Sequence, residues 1–353
     1  GDWQESVPEN TTIVDWTGYS IAPGLVDTHI HGFAGADVMD NSQESLETMS
    51  RALLGAGVTS FLPTGLTASF ETLNAICQTT AAFAGQESGA RIKGLFFEGP
   101  YFTEKYKGAQ NPSYMRNPSI SELDQWLASS KGLLRKIALA PEREDVEDFI
   151  NYATDKGVTV ALGHSDATFD QAIKAVEAGA SVWVHAYNGM RGLNHREPGM
   201  VGAVYEMPNT YAELICDGHH VHPSACDMLL HQKGPDHVAL ITDCMSAGGL
   251  KDGDYMLGEF PVIVEKGTAR LKSNGALAGS ILQLKDAVQH VVDWGLVSKA
   301  EAIRMATLIP AISVGLDNEC GQIKKGHHAD FIVLDKDLNL QATYLGGRKA
   351  WEE

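Results

Sequence analysis

The feature that most constrains this chain is a rhythm of eight short apolar runs, most of them separated by stretches of helical spacing. The runs cover residues 25–30, 58–62, 92–98, 136–140, 158–162, 181–184, 211–216 and 237–241. They are apolar along most of their length rather than alternating, which is how strands buried on both faces read. Residues 45–54, 73–83, 146–153 and 170–178 carry the spacing of helices that lay one face on such a sheet. Eight buried strands alternating with helices predict an α/β fold, a (β/α)8 TIM-like barrel. No sequence repeat accompanies the rhythm; the repetition is architectural. At 353 residues the chain has room for that barrel and a smaller unit beside it.

The chain ends supply the smaller unit. Strand-like runs at 11–15 and 19–21 pair naturally with those at 329–335 and 342–347. They predict a small β-sandwich domain from residues 1–21 and 322–353, around a barrel domain of residues 22–321. Only 28 residues precede His29, and the chain opens at Gly1 without Met, so the N-terminal part of the sandwich is expected to be incomplete. After the eighth strand, residues 257–271 read as a hairpin insertion turning at Lys266-Gly267. Met228, Leu229 and Leu230 read as core.

Chemistry in such barrels sits at the C-terminal ends of the strands. Here the first strand ends in His29-x-His31, the third in Glu98-Gly99-Pro100 and the fifth in Gly163-His164-Ser165. The sixth ends in His185-Ala186-Tyr187-Asn188 and the eighth in Thr242-Asp243. Residues i and i+2 of a strand share a face, so His29 and His31 can grip one cation. A lone histidine at a strand end is ordinarily a satisfied polar residue. Five strands ending in ligands or proton carriers on one rim are costly without a compensating cation.

Charge and cysteines narrow the partners. A net charge of −18 argues against nucleic acid or a membrane surface, and an anionic substrate then needs a local basic pocket. The five cysteines are odd in number and contain no C-x-x-C, which fits a reducing cytosol and predicts a cytoplasmic protein. Cys216 and Cys244 adjoin site positions but lack the partners of a nucleophile, so they read as packing residues. No run approaches the roughly 18 apolar residues of a membrane span.

The motif 23–32 (PGLVDTHIHG), with Glu98-Gly99-Pro100, Gly163-His164-Ser165, His185 to Met190 and Asp243, resembles the amidohydrolase superfamily. Segments 107–112, 196–199, 217–222 and 277–280 resemble its deacetylases of amino-sugar phosphates. The resemblance runs from about Ile21 to Phe331. It implies conversion of N-acetyl-D-glucosamine 6-phosphate to D-glucosamine 6-phosphate and acetate in amino-sugar catabolism. It also implies that Glu98, His164 and His185 hold a principal divalent metal. His29 and His31 would hold a second, with Glu98 bridging, and Asp243 would be the catalytic proton carrier. Ala109, Gln110, Asn188, Gly189, Arg196, His220, Leu277, Ala278 and Gly279 match substrate-contacting positions. A homodimer that shares its phosphate site is implied as well.

Two departures bear on this. Gln110 stands where some relatives carry a histidine, and an amide donates a hydrogen bond but carries no charge. Other relatives lose the His-x-His and keep one metal, so one or two ions per chain stay open. The donor set suits Zn²⁺ or Fe²⁺ first, with Mn²⁺ and Co²⁺ possible. Arg196 and His220 are the expected phosphate cations, and Lys105-Tyr106-Lys107 reads as a mobile lid or an exposed charged loop. The alternative reading is another amidohydrolase with the same ligands, a cyclic amidase or nucleobase deaminase. A non-catalytic barrel would have lost Asp243 or the ligands, and all are present.

Overall fold

The computed structural model describes residues 11–353. Eight parallel strands run side by side in chain order: Leu25–Ile30, Val58–Gly65, Leu95–Tyr101, Leu134–Leu139, Thr159–Leu162, Val182–Trp183, Tyr211–Leu214 and Val238–Leu240. The barrel nearly closes between the eighth strand and the first. At the mouth, Asp243 N–H donates to His29 O at 2.9 Å and His31 N–H to Cys244 O at 2.9 Å. At the other end the seam is filled by the segment around Leu308–Ser313, with Val26 N–H on Ala306 O at 2.9 Å. Val26, Leu62, Phe96, Ala138, Ala161 and Val184 pack there against Ala311, Val314 and Leu316.

Helices follow the strands and cover the outside. Their starts are written locally: Ser42, Ser69 and Ser119 cap Gln43–Leu53, Phe70–Phe83 and Ile120–Ser129, and Thr168 with Gln171 forms a capping box on Phe169–Glu177. An apolar stripe then lays the helix on the barrel, as in the buried face Leu46, Met49 and Leu53 of Gln43–Leu53.

Three expectations are corrected here. Residues 11–15 form no strand; pairing begins with Ser20–Pro23, and residues 1–10 lie outside the described residues. The third barrel strand starts at Leu95 rather than Ile92 and continues to Tyr101, so Glu98 sits mid-strand. The Gly99-Pro100 pair looked like a stop, yet the register with the fourth strand reaches Tyr101 opposite Leu139. Met228 is 57% exposed, whereas Leu229 and Leu230 are buried, because consecutive helical residues point about 100° apart.

Ser20–Pro23, Phe331–Leu334, Leu340–Leu345 and Arg348–Glu352 make one four-stranded antiparallel sheet from both chain ends. Phe331 stacks on Tyr344 at 4.4 Å, and Trp16 Nε1–H donates to the Tyr344 hydroxyl. The insertion after the eighth strand is a three-stranded sheet, Gly253–Leu257, Phe260–Glu265 and Thr268–Leu271. It turns at Lys266-Gly267, both with positive φ, as a tight two-residue hairpin requires. Its apolar face packs on Leu66, Met245 and Ala278 and so walls one side of the barrel mouth. No helix among the described residues is long and apolar enough to cross a membrane.

Candidate metal centre

Each strand end delivers its side chain by a local device. His29 and His31 leave the first strand on one face, their Nε2 atoms 3.3 Å apart. His164, His185 and Asp243 follow their strands in the left-handed region, with φ of 45°, 30° and 50°. That conformation costs about 1–3 kcal/mol for a non-glycine residue, and the closed barrel rim holds it. Gly189 (φ 60°) and Gly108 (φ 54°) press on the His164 ring, where an added Cβ would lie 3.0 and 3.2 Å from ring atoms. A side chain at either position would push the ring back by a few tenths of an ångström and strain a left-handed backbone, so glycine suits both loops.

Six donor groups converge. Glu98 Oε1 lies 3.1 Å from His164 Nε2 and 3.0 Å from His185 Nε2, and these two nitrogens are 3.1 Å apart. The same carboxylate reaches the other pair, with Oε1 3.6 Å from His29 Nε2 and Oε2 3.2 Å from His31 Nε2. Asp243 Oδ1 stands 3.4 and 3.1 Å from those nitrogens. Two groups able to hold a cation result, Glu98–His164–His185 and His29–His31–Asp243, with Glu98 between them.

The opposite ring nitrogens show what the inner ones are for. Nδ1–H of His31 donates to Thr64 O at 3.1 Å, that of His164 to Tyr106 O at 2.7 Å and that of His185 to Asn188 O at 3.0 Å. His29 Nδ1–H donates to the Glu213 carboxylate at 3.0 Å. With all four outer nitrogens donating, the four Nε2 lone pairs face one another, an arrangement that fits a divalent cation.

Without a cation, protons and carboxylates share that role. Burial works against ionising Glu98, but His29, His164 and His185 outweigh it and hold its carboxyl well below the usual range. Asp243 is likewise kept low, burial being overcome by His29 and His31. Burial resists a charged His31, yet its bonds to Asp243 and Glu98 lift the ring well above an ordinary imidazole. His185, buried but bonded to Glu98, is raised to about 9.

A family model described as amidohydrolase family matches residues 20–350. The N-acetylglucosamine-6-phosphate deacetylase of Vibrio furnissii is 42% identical over 94% of this chain and 83% of its own length. The chain belongs to the amidohydrolase family. A second relative of this amidohydrolase, the N-acetylgalactosamine-6-phosphate deacetylase of Escherichia coli O157:H7, is also 42% identical, over 98% of this chain and 91% of its own. A solved Mycobacterium smegmatis N-acetyl-D-glucosamine-6-phosphate deacetylase mutant, in complex with N-acetyl-D-glucosamine-6-phosphate, superposes with a TM-score of 0.91 at 31% identity. That match covers 98% of this chain and 90% of the other.

The amidohydrolase's remaining site candidates fall into two sets. Ala109, Gln110, Asn188, Gly189, His220, Leu277 and Gly279 line, with the ligands, a cavity of about 140 Å³. Gln110 is fixed: its amide N–H donates to Glu98 Oε2 at 2.6 Å while its carbonyl accepts from Thr67 N–H. His220 Nδ1–H donates to Asp217 at 2.6 Å. Ala278 is apart from this lining, packed into the hairpin core with its N–H on Ala269 O. Arg196 also stands apart in this chain; it is exposed on the loop before Gly199–Glu206 with its guanidinium on His195. Lys105 lies on the surface, paired with Asp166 at 2.9 Å, while Cys216 and Cys244 are buried thiols whose ionisation burial suppresses.

Sequence reasoning missed Glu213 and Lys136. Both lie inside the barrel, on the seventh and fourth strands, with Lys136 Nζ on Glu213 Oε1. Burial would protonate Glu213, but Lys136 and then His29 keep it below the usual carboxylate range. The available signal was charge inside apolar runs: Glu213 in Tyr211–Leu214, and Lys136 beside Arg135 in Leu134–Leu139.

Proposed function

We propose that this amidohydrolase deacetylates N-acetyl-D-glucosamine 6-phosphate, giving D-glucosamine 6-phosphate and acetate. One observation carries the reading: four inward-facing imidazole nitrogens and two ionised carboxylates meet at the floor of a cavity at the barrel mouth. A divalent cation bound there supplies Lewis acidity toward the acetyl carbonyl and acidifies water, which answers the poor electrophilicity of an amide. Glu98, His164 and His185 hold one ion and His29 with His31 the second, Zn²⁺ or Fe²⁺ before Mn²⁺ or Co²⁺. Asp243, ionised and lining the cavity, takes a proton from the attacking water and returns it to the departing sugar nitrogen. The buried thiols, none in a disulfide among the described residues, support a cytoplasmic setting.

His220 and Arg196 are the phosphate cations of this reading. Arg196 reaches out from its own chain's surface rather than over its own cavity, which supports a homodimer in which each copy lends this arginine to the other. The equally identical E. coli relative favours a second reading, in which the galactosamine epimer is the substrate or a co-substrate.

Acetate release from both phosphorylated epimers and from unphosphorylated N-acetylglucosamine, by metal-replete protein, tests this. Turnover of the glucosamine epimer is expected to lead. Arg196→Ala should raise KM for it about 10- to 100-fold and leave the unphosphorylated sugar unaffected. A metal-replete protein that releases acetate from neither phosphorylated sugar ends the proposal.

A further inference from the structure

We propose that Glu213, backed by Lys136, is a positioning residue that gives the His29–His31–Asp243 position its affinity for a cation. The inference rests on the two-metal reading above and adds what sets the two ion positions apart. Three of the four histidines lean on a neutral backbone carbonyl: Thr64, Tyr106 or Asn188. His29 alone among them leans on a carboxylate, at 3.0 Å. A charged acceptor makes the stronger bond to Nδ1–H, fixes the tautomer with Nε2 bare, and draws electron density toward that nitrogen.

The carboxylate is built in. Glu213 and Lys136 are both fully buried, and each Glu213 oxygen has one partner, His29 on Oε2 and Lys136 on Oε1. Lys136 is held in turn by Thr28 O at 3.3 Å and by the Phe96 ring, 3.8 Å from its centroid. An ion pair costs more to bury than two apolar side chains of similar size, so its presence in the barrel interior calls for a use. The lysine balances the buried charge and keeps Glu213 an ionised acceptor for His29. A purely structural pair would affect folding without singling out one of two ions.

Stepwise Zn²⁺ titration against a competing chelator decides this, with His29→Ala marking which equivalent belongs to this position. Wild type should take up two equivalents. Glu213→Gln should weaken the marked equivalent about 10- to 100-fold and leave the Glu98–His164–His185 equivalent unchanged. Lys136→Met with Glu213→Gln removes both charges at similar volume, keeps the fold testable should the single variant be unstable, and should show the same selective loss. Equal weakening of both equivalents, or of neither, with wild type binding two, overturns the inference alone. Wild type saturating at one equivalent overturns the two-metal reading and this inference with it.

Discussion

The two ion positions use similar donors but are supported by different parts of the molecule. Glu98, His164 and His185 come from three strands, and both histidines rest on carbonyls of loops that also border the cavity, at Tyr106 and Asn188. His29 and His31 come from one strand and rest on the barrel itself, at Glu213 and Thr64. The first position is therefore tied to loops that line the cavity, and the second to the barrel interior. Loops at a barrel mouth tolerate change and carry specificity, whereas strands carry stability.

Asp243 is where the comparison breaks most sharply, since it belongs geometrically to the second group yet faces the cavity. Asp243→Asn should lower turnover about 10²- to 10⁴-fold, the usual worth of a placed proton carrier, while metal analysis still finds both ions. Wild-type turnover in a fully metallated variant would make Asp243 a plain ligand, and the two groups would then be alike.

A smaller effect concerns protons. Each position has one imidazole raised above its ordinary value in the metal-free site, His185 to about 9 and His31 in the same direction. A charged ring means that an arriving ion must displace a proton. Apparent affinity at the Glu98–His164–His185 position should fall about tenfold for each pH unit lowered below about 9, and affinity at the His31 position should fall in the same direction, until the other ligands titrate too. Calorimetry in buffers of differing ionisation heat should count about one proton released per ion near pH 7. A count of zero at one position would show that its histidine is already bare.

The smallest effect probes the loop support. Lys105 pairs with Asp166 at the surface, on the short turn that places the Tyr106 carbonyl under His164. An exposed pair of this kind contributes little, so Lys105→Ala should weaken the Glu98–His164–His185 ion by less than about fivefold and the other ion not at all. A shift in the second ion, read by the same titration, would erase the distinction between loop-held and core-held positions.

Much of this was local and therefore legible in the chain. The strand Leu25–Ile30, the turn at Lys266-Gly267 and the convergence of His29, His31, Glu98, His164, His185 and Asp243 follow from runs, turn residues and strand-end chemistry. Burial is read by periodicity, and turns by the residues that tolerate positive φ. Met228 and residues 11–15 failed because an apolar residue records a preference for burial, not the neighbour that grants it. Tertiary structure alone decided that Lys136 and Glu213, separated by 77 positions, would meet under His29, and that Arg196 would lie exposed outside the lining of its own cavity. Those meetings depend on how strands four and seven close across the barrel and on how one loop leaves it. A charge in a strand announces that it needs a partner; only closure of the barrel selects which one.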